Sequence, residues 1–388
     1  MLPSQFLSAE EQAEIDLFIE SLERFCDAEV EPYYRDWEKA GLVDREIFRK
    51  MGANGYLCAD VPEQYGGPGA SVHFSFAVTQ VLARRGYGGF VGGLEVHNDI
   101  IPPYLLHCGT EAQRQYWLPR MASGDAVAAI GMTEPGAGSD LKAIRTTAIK
   151  DGDGYVINGS KIFISNGQHC DLIVLAAKTD PAAGPKGVSL FLVDTKIPGF
   201  SRGKNLEKVG QHAGDTSELF FNDMRVPADA LLGGMEGQGF VQMMRELPRE
   251  RLIIGVQAVH GAKGALATTL QYVQERQAFG QPIGQFQNTR FILAQCASDI
   301  AAAEAFLNAS VAAYQKGQLN PEAVSALKLH TTELFDRVSD ACLQLFGGYG
   351  YMAEYPISRF WTDARVLRIY GGTSEIMKEL VARSLLGR

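Results

Sequence analysis

The sequence predicts an α+β, multidomain chain in three successive parts: helical, then β, then helical again. Three observations carry that expectation. Apolar residues recur every three or four positions in segments of residues 1–125, short β-branched runs cut by turn residues fill 126–240, and long segments of helical period occupy 241–388. A length of 388 residues suits two or three packed units. With 46% hydrophobic and 21% charged residues, the chain is no disordered polymer, collagen or coiled-coil rod.

From Ser8, the residues Ile15, Phe18, Ile19, Leu22 and Phe25 keep helical spacing behind a capping box of Ser8 and Glu11. Further helices are expected at Arg45 to Met51, Val72 to Arg84 and Glu111 to Met121, the last ending before the Gly124-Asp125 turn. Beyond Ala126, five strand-like runs follow: Tyr155 to Gly159, Lys161 to Gly167, Leu172 to Ala176, Val188 to Val193, and Glu218 to Phe221. Their turn spacing implies a small antiparallel sheet or barrel. Past Gly239, the segments Glu250 to Glu275, Phe286 to Gln315 and Pro321 to Leu345 have Ala-rich faces suited to close packing, and predict a helical bundle.

Charge excludes some functions. The formal net charge is −9, and no run of Lys or Arg offers the footprint of a nucleic-acid binder. The six cysteines lie far apart without a CxxC pair, and no histidine pattern supplies an HxxxH or a His and Cys cluster, so no metal site is expected. Free thiols suit a reducing compartment. No stretch reaches the ~20 apolar residues of a membrane span, and the acidic N-terminal stretch resembles neither a secretory signal nor a transit peptide. A cytoplasmic bacterial protein is the expectation; a mature mitochondrial matrix protein without its presequence would read the same.

Four local features stand out, each with two readings. Thr133 to Asp140 places Gly136, Gly138 and the hydroxyls of Thr133 and Ser139 in one loop, suited either to a flat or phosphorylated ligand or to a tight turn between domains. Arg276 falls where a helix ends, able to meet a pyrophosphate or to satisfy its own helix's carbonyls. Gly371, Gly372 and Thr373 precede a helix whose N-terminus suits an oxyanion, and Thr373 or Ser374 equally reads as an N-cap. Glu250, between Arg249 and Arg251 at the expected start of an apolar helix, reads as a helix-dipole partner or as an acid with chemistry to do.

Together and in order, these motifs resemble the acyl-CoA dehydrogenase family of flavoproteins across nearly the whole chain. The Thr133 to Asp140 loop is similar to the family's TEPxAGSD, Lys161 to Gly167 to its K-x-[WF]-I-[ST]-N-G strand, Glu275 to Gly280 to its ERxxFG, and Gln344 to Gly350 to its QxFGGxG. The stretch from Glu354 to Leu380 is similar to the long-chain members. The resemblance implies an N-terminal helical domain (1–125), a middle antiparallel β-barrel domain (126–240) and a C-terminal four-helix bundle (241–388). It implies one FAD, held around Met132, Thr133, Gly138 and Ser139 and by Phe163, Ile164 and Ser165, with Thr373 and Glu375 also on the cofactor. Arg276, Phe279, Gln287, Gln344, Gly347 and Gly348 would reach a neighbouring subunit's FAD in a homotetramer. Phe163 and Ser165 stand where tryptophan and threonine are common in the family, keeping a ring face and a hydroxyl.

One departure bears on mechanism. Many members carry their catalytic glutamate in a Y-E-G-T sequence, where this chain reads Tyr370-Gly371-Gly372-Thr373. A subset resembling long-chain and isovaleryl-CoA dehydrogenases has glycine there and takes its base from the E-R-L segment, here Glu250. The implied reaction is α,β-dehydrogenation of acyl-CoA, of medium to long chain, to trans-2-enoyl-CoA, with electrons passed to an electron transfer flavoprotein. Ser139, Arg251 and Gly371 would contact substrate, and residues around Val91 to Leu106 would set chain length. Branched or terpenoid acyl-CoA dehydrogenation, an acyl-CoA oxidase and a non-enzymatic flavin- or acyl-CoA-binding relative are the alternatives.

Overall fold

The computed structural model describes residues 7–387. Seven helices come first: α1 (Ala9–Glu29), α2 (Tyr34–Ala40), α3 (Glu46–Ala53), α4 (Val72–Arg84), α5 (Gly88–Glu95), α6 (Ile101–Cys108) and α7 (Glu111–Ala122). The capping box forms as the sequence predicts, the Ser8 N–H donating to the Glu11 carboxylate (2.9 Å) and the Glu11 N–H to Ser8 Oγ (3.2 Å). Ile15, Leu22 and Cys26 bury the apolar stripe of α1.

Sequence periodicity does not reveal α2, α5 or α6. Helix α5 contains Gly88, Gly89, Gly92 and Gly93, poor helix formers that its close neighbours require: a Cβ on Gly89 would lie 2.9 Å from the backbone nitrogens of Ala213 and Gly214. Between α5 and α6 the helix widens to a π turn over Val96–Ile100, which buries His97, Asn98 and Asp99. Their polar atoms are used: Asn98 accepts from the Cys58 N–H (3.1 Å), and His97 bridges the Met121 carbonyl (3.0 Å) and the Ala128 N–H (3.2 Å).

The sheet contains β1 (Ala128–Gly131), β2 (Thr147–Asp151), β3 (Gly154–Ser165), β4 (Leu172–Lys178), β5 (Val188–Asp194), β6 (Phe200–Asn205) and β7 (Thr216–Pro227), ordered β1-β4-β2-β3-β7-β6 with β5 also on β4. It is mixed rather than purely antiparallel. Strand β5 runs antiparallel along all of β4, while β1 (Ala128↔Leu172 to Gly131↔Leu175) and β2 (Thr147↔Lys178) lie parallel to it. A strand has two edges, so β1 and β2 follow one another along the edge that β5 leaves free, and residues 132–146 are an excursion between them. The two expected runs at Tyr155 and Lys161 are one strand, β3. Opposite its Asn158, β7 bulges by one residue at Asn222-Asp223, and Gly159 (φ +150°) passes too close to Thr146 for any side chain.

Helix α8 (Gly239–Glu275) begins well before the expected Glu250 and runs through Pro248. A short ribbon, β8 (Gln277–Ala278) with β9 (Gln281–Pro282), leads to α9 (Gln287–Gln315), α10 (Pro321–Phe346), α11 (Pro356–Ala364) and α12 (Ser374–Leu386). The bundle core joins Leu252, Val256 and Val259 of α8 to Leu327, Leu334 and Val338 of α10. Helix α4 docks on α8 where Gly264 sits against the Arg84 carbonyl. No helix among the described residues is long and apolar enough to cross a membrane.

Because a Cβ at Gly264 would collide with that carbonyl and with Phe360, Gly264→Ala should destabilise the fold by about 1–3 kcal/mol. The measurement is the midpoint of urea unfolding, with an unchanged midpoint counting against so close an α4–α8 approach.

Candidate active site

Three consecutive charged residues, Arg249, Glu250 and Arg251, are buried in the middle of α8. Glu250 is therefore no first-turn dipole partner, and the helix-start reading is corrected: Pro248 interrupts one backbone bond without ending the helix. Each residue turns about 100° from the last, so the three side chains meet different neighbours. Arg249 donates to Asp60 (2.5 Å) and to Asp99 (3.2 Å), and Asp99 also accepts from Ser75 (2.7 Å). Burial pushes the Asp99 pKa up to about 6 against the pull of Arg249.

Glu250 Oε1 accepts a hydrogen bond from the Tyr104 hydroxyl of α6 at 2.8 Å, both groups being buried. Burial pushes the carboxyl pKa up to about 7; Tyr104 and Arg251 pull it down, and Glu246 adds to the rise. Arg251 donates to Ser325 Oγ of α10 (3.3 Å) and reaches the Gly371 carbonyl (3.5 Å), and among the described residues it pairs with no carboxylate.

Gly371 (φ +63°) and Gly372 (φ +96°) adopt left-handed backbone, and a Cβ on Gly371 would overlap Ile254 Cδ1. Ile254 is one helical turn beyond Glu250 on the same face of α8. Ile254 thus occupies the volume that a side chain at 371 would need, and only glycine fits. Buried Lys328 of α10 donates to the carbonyls of Tyr370 (2.6 Å) and Gly372, and Tyr370 Oη donates to Gln257 (2.7 Å). Thr373 caps α12 by accepting from the Ile376 N–H (3.3 Å), as the plainer reading has it, and Glu375 lies exposed in that helix's first turn.

The Thr133 to Asp140 loop belongs to the excursion between β1 and β2. Buried Glu134 shapes it, accepting from Lys161 Nζ (2.8 Å), the Thr146 N–H (3.0 Å) and the Arg145 N–H (2.6 Å), while Lys161 also donates to the Met132 carbonyl (3.1 Å). Burial brings the Lys161 pKa down to about 8 against the attraction of Glu134. A Cβ added to Gly136 or Gly138 would meet nothing within 4 Å. On β3, Phe163 holds φ +61° with its ring 64% exposed, an uncommon backbone state for an aromatic residue. Ile164 turns into the sheet core, so it has only backbone to offer a ligand. Ser139 is exposed, and Met132, Thr133 and Ser165 are half-buried.

A second group lies at the end of α8. Arg276 forms the C-terminal cap, but its guanidinium stands 5.4 Å over the Tyr349 ring instead of on the helix carbonyls. It lines a cavity of about 530 Å³ with Gln344, Gly347 and Gly348. Phe279 (φ +50°, 96% exposed) and Gln287 lie outside that lining. None of the lining comes from the excursion loop or β3.

These residues fit a flavin cofactor: an open glycine loop with uncommitted hydroxyls beside an exposed ring, and a separate cavity carrying a free guanidinium. A buried carboxyl whose pKa is pushed up to about 7 is a candidate for general acid–base chemistry. Comparison with known proteins agrees. Models of the acyl-CoA dehydrogenase N-terminal, middle and C-terminal domains match residues 12–125, 129–224 and 237–386. The long-chain specific acyl-CoA dehydrogenase of Sus scrofa mitochondria is 43% identical over 377 residues, covering 96% of this chain and 87% of the relative. An acyl-CoA dehydrogenase structure from Geobacillus kaustophilus is 45% identical with a TM-score of 0.94, covering 98% of this chain and 99% of that one. A chain in a structure concerning the electron transferring flavoprotein of Acidaminococcus fermentans is 36% identical with a TM-score of 0.93, covering 98% and 99%. The chain belongs to the acyl-CoA dehydrogenase family; it is an FAD flavoprotein and an oxidoreductase acting on CH–CH groups of acyl-CoA.

Sequence reading assigns no individual role to Tyr104, which lies within the 91–106 stretch, to Glu134, the second letter of the glycine-loop motif, or to Lys328. Lys161 was visible only as the first letter of a strand motif; Tyr104 carried no signal, lying 146 residues from its partner.

Tyr104→Phe removes the O–H that favours the ionised carboxyl, so the Glu250 pKa should climb by about one unit. Infrared titration of the protonated carboxyl stretch, assigned by its loss in Glu250→Gln, reads the shift; an unmoved band would deny the bond its influence.

Proposed function

We propose that this enzyme dehydrogenates medium- to long-chain acyl-CoA to trans-2-enoyl-CoA, with Glu250 as the base that removes the α-proton. The observation that carries the reading is a buried carboxyl whose pKa burial pushes up to about 7, one turn from Ile254, which fills the space a side chain at 371 would need. A carboxylate at that point needs no side chain at position 371, because only its place beside the α-carbon matters. Glu250 takes the proton at a carboxylate oxygen, while Tyr104 holds Oε1 and limits how far the side chain swings. The Gly371 N–H donates to the thioester oxygen as charge gathers there. Bound FAD supplies the acceptor for the β-hydride. Arg251 serves the substrate site through its hold on the Gly371 carbonyl, and Ser139 lies free to touch flavin and substrate.

The likeness to a long-chain specific dehydrogenase supports the chain length, and the likeness to a chain in an electron transferring flavoprotein structure supports that partner as acceptor. FAD is held by Thr133, Gly138, Ser139, Phe163 and Ser165 and by the backbone of Met132 and Ile164. A homotetramer, in which Arg276, Phe279, Gln287 and the Gln344 to Gly348 turn meet a neighbour's cofactor, gives a purpose to a cavity without middle-domain lining and to the bare ring of Phe279.

Anaerobic titration with saturated acyl-CoAs of graded length should bleach the flavin of the wild type most strongly at one medium or long chain. Glu250→Gln should slow that reduction by about 10²–10⁴-fold, and in the wild type kcat/KM should rise as pH climbs through about 7, where the base ionises. Equal bleaching in both proteins would remove Glu250 from the mechanism. Light scattering should give four chains per particle; a monomeric FAD-loaded enzyme would rule out the shared cofactor site.

A further inference from the structure

We propose that Lys328 is a positioning residue for this reaction: its ammonium group stands behind the peptide joining Tyr370 to Gly371 and makes that peptide's N–H a stronger donor to the thioester oxygen. The inference rests on the reading of Glu250 and Gly371 above.

Lys328 is buried in the core between α8 and α10, where a methionine would fill similar space. Burial and the charge of Arg251 both push its pKa down, and the two backbone carbonyls that accept from Nζ favour the charged form against them. A buried cation without a counter-ion is costly unless hydrogen bonds repay it. Here they run to backbone alone. Nζ donates to the Tyr370 carbonyl (2.6 Å) and to the Gly372 carbonyl, while Arg251 Nε reaches the Gly371 carbonyl between them (3.5 Å). Three successive carbonyls are thus held by two cations.

The geometry of the peptide unit gives this arrangement its consequence. In a trans peptide the C=O and the N–H point in opposite directions, and no described peptide bond is cis. With the Tyr370 carbonyl aimed at Lys328, the Gly371 N–H is aimed away from it. The Thr373 N–H likewise leaves the side opposite Lys328, because the Gly372 carbonyl meets the same ammonium. A run of N–H groups whose carbonyls are tied down behind them favours a negative charge in front. A cation on the carbonyl oxygen also polarises the amide, and linked hydrogen bonds strengthen one another by roughly 10–30%.

The electron count shows when this matters. As Glu250 takes the α-proton it becomes neutral, and the C–H bonding pair moves into the enolate, leaving the negative charge on the thioester oxygen. The charge has moved from the carboxylate to the front of the Gly371 N–H. A donor backed by a cation gains more from that oxygen than from the neutral thioester, so Lys328 should act on kcat more than on KM.

A 3-thia-acyl-CoA tests this directly, since its α-proton can leave while its β-sulfur has no hydride to give. On FAD-loaded enzyme at one fixed pH, enolate formation is read as a long-wavelength charge-transfer band with the oxidised flavin. Lys328→Met should bind the analogue within about threefold of wild type yet lose the band by about tenfold or more, with a similar fall in kcat on the matching acyl-CoA. Lys328→Arg, which keeps the charge, should restore most of the band. A full band in Lys328→Met, even with weaker binding or lower flavin content, would overturn the inference and leave Lys328 structural. If Lys328→Met does not fold, Lys328→Gln, a donor without charge, must show the same loss, and an undiminished band there overturns the inference equally. No band in wild type at any chain length would instead overturn the reading of the reaction itself.

Discussion

Three charges are withdrawn from water in the middle of α8, and removing an ion from water costs several kcal/mol unless its new surroundings satisfy it. Arg249 finds Asp60 and Asp99, Glu250 finds Tyr104, and Arg251 finds Ser325 and the Gly371 carbonyl. Those partners come from the N-terminal helical part, from α10 and from the loop before α12. The burial of these charges therefore requires the surrounding elements to meet at one level of one helix. Glu250 is the least compensated of the three, with one hydroxyl for its carboxyl, and its pKa is displaced accordingly.

A second buried pair does similar work in the sheet. The excursion between β1 and β2 would be a loose loop if Glu134 faced water. With its carboxyl turned inward onto Lys161 and two backbone N–H groups, the loop closes on itself and presents its glycines and hydroxyls outward. The two sites thus follow one principle: a buried charge fixes backbone whose free groups then serve a ligand.

Space decides the rest. Ile254, one turn beyond Glu250 on α8, fills the volume a side chain at 371 would take, so glycine is what lets the loop before α12 come this close. With left-handed backbone at both glycines, the Gly371 carbonyl meets Arg251 and the Gly372 carbonyl meets Lys328.

The sequence by itself determined the three-part order, the capping box of α1, the bounds of α4 and the family, because each depends on local spacing or on contiguous motifs. It could not show α5, whose four glycines argue against helix, or α6, a short apolar segment that opens on Pro102 and Pro103. Nor could it show the parallel approach of β1 and β2 to β4, or that α8 continues through Pro248, since both depend on distant partners. Within the site, the glycine at 371 and the candidate at Glu250 were legible from motif position. Tyr104 and Lys328 were not: a tyrosine in an apolar helix and a lysine in an Ala-rich one look ordinary until folding closes 146 residues between Tyr104 and Glu250 and 42 between Lys328 and Tyr370. Tertiary structure alone decided those pairings, because hydrogen bonds and desolvation act between groups that meet in space, and sequence spacing does not encode that meeting.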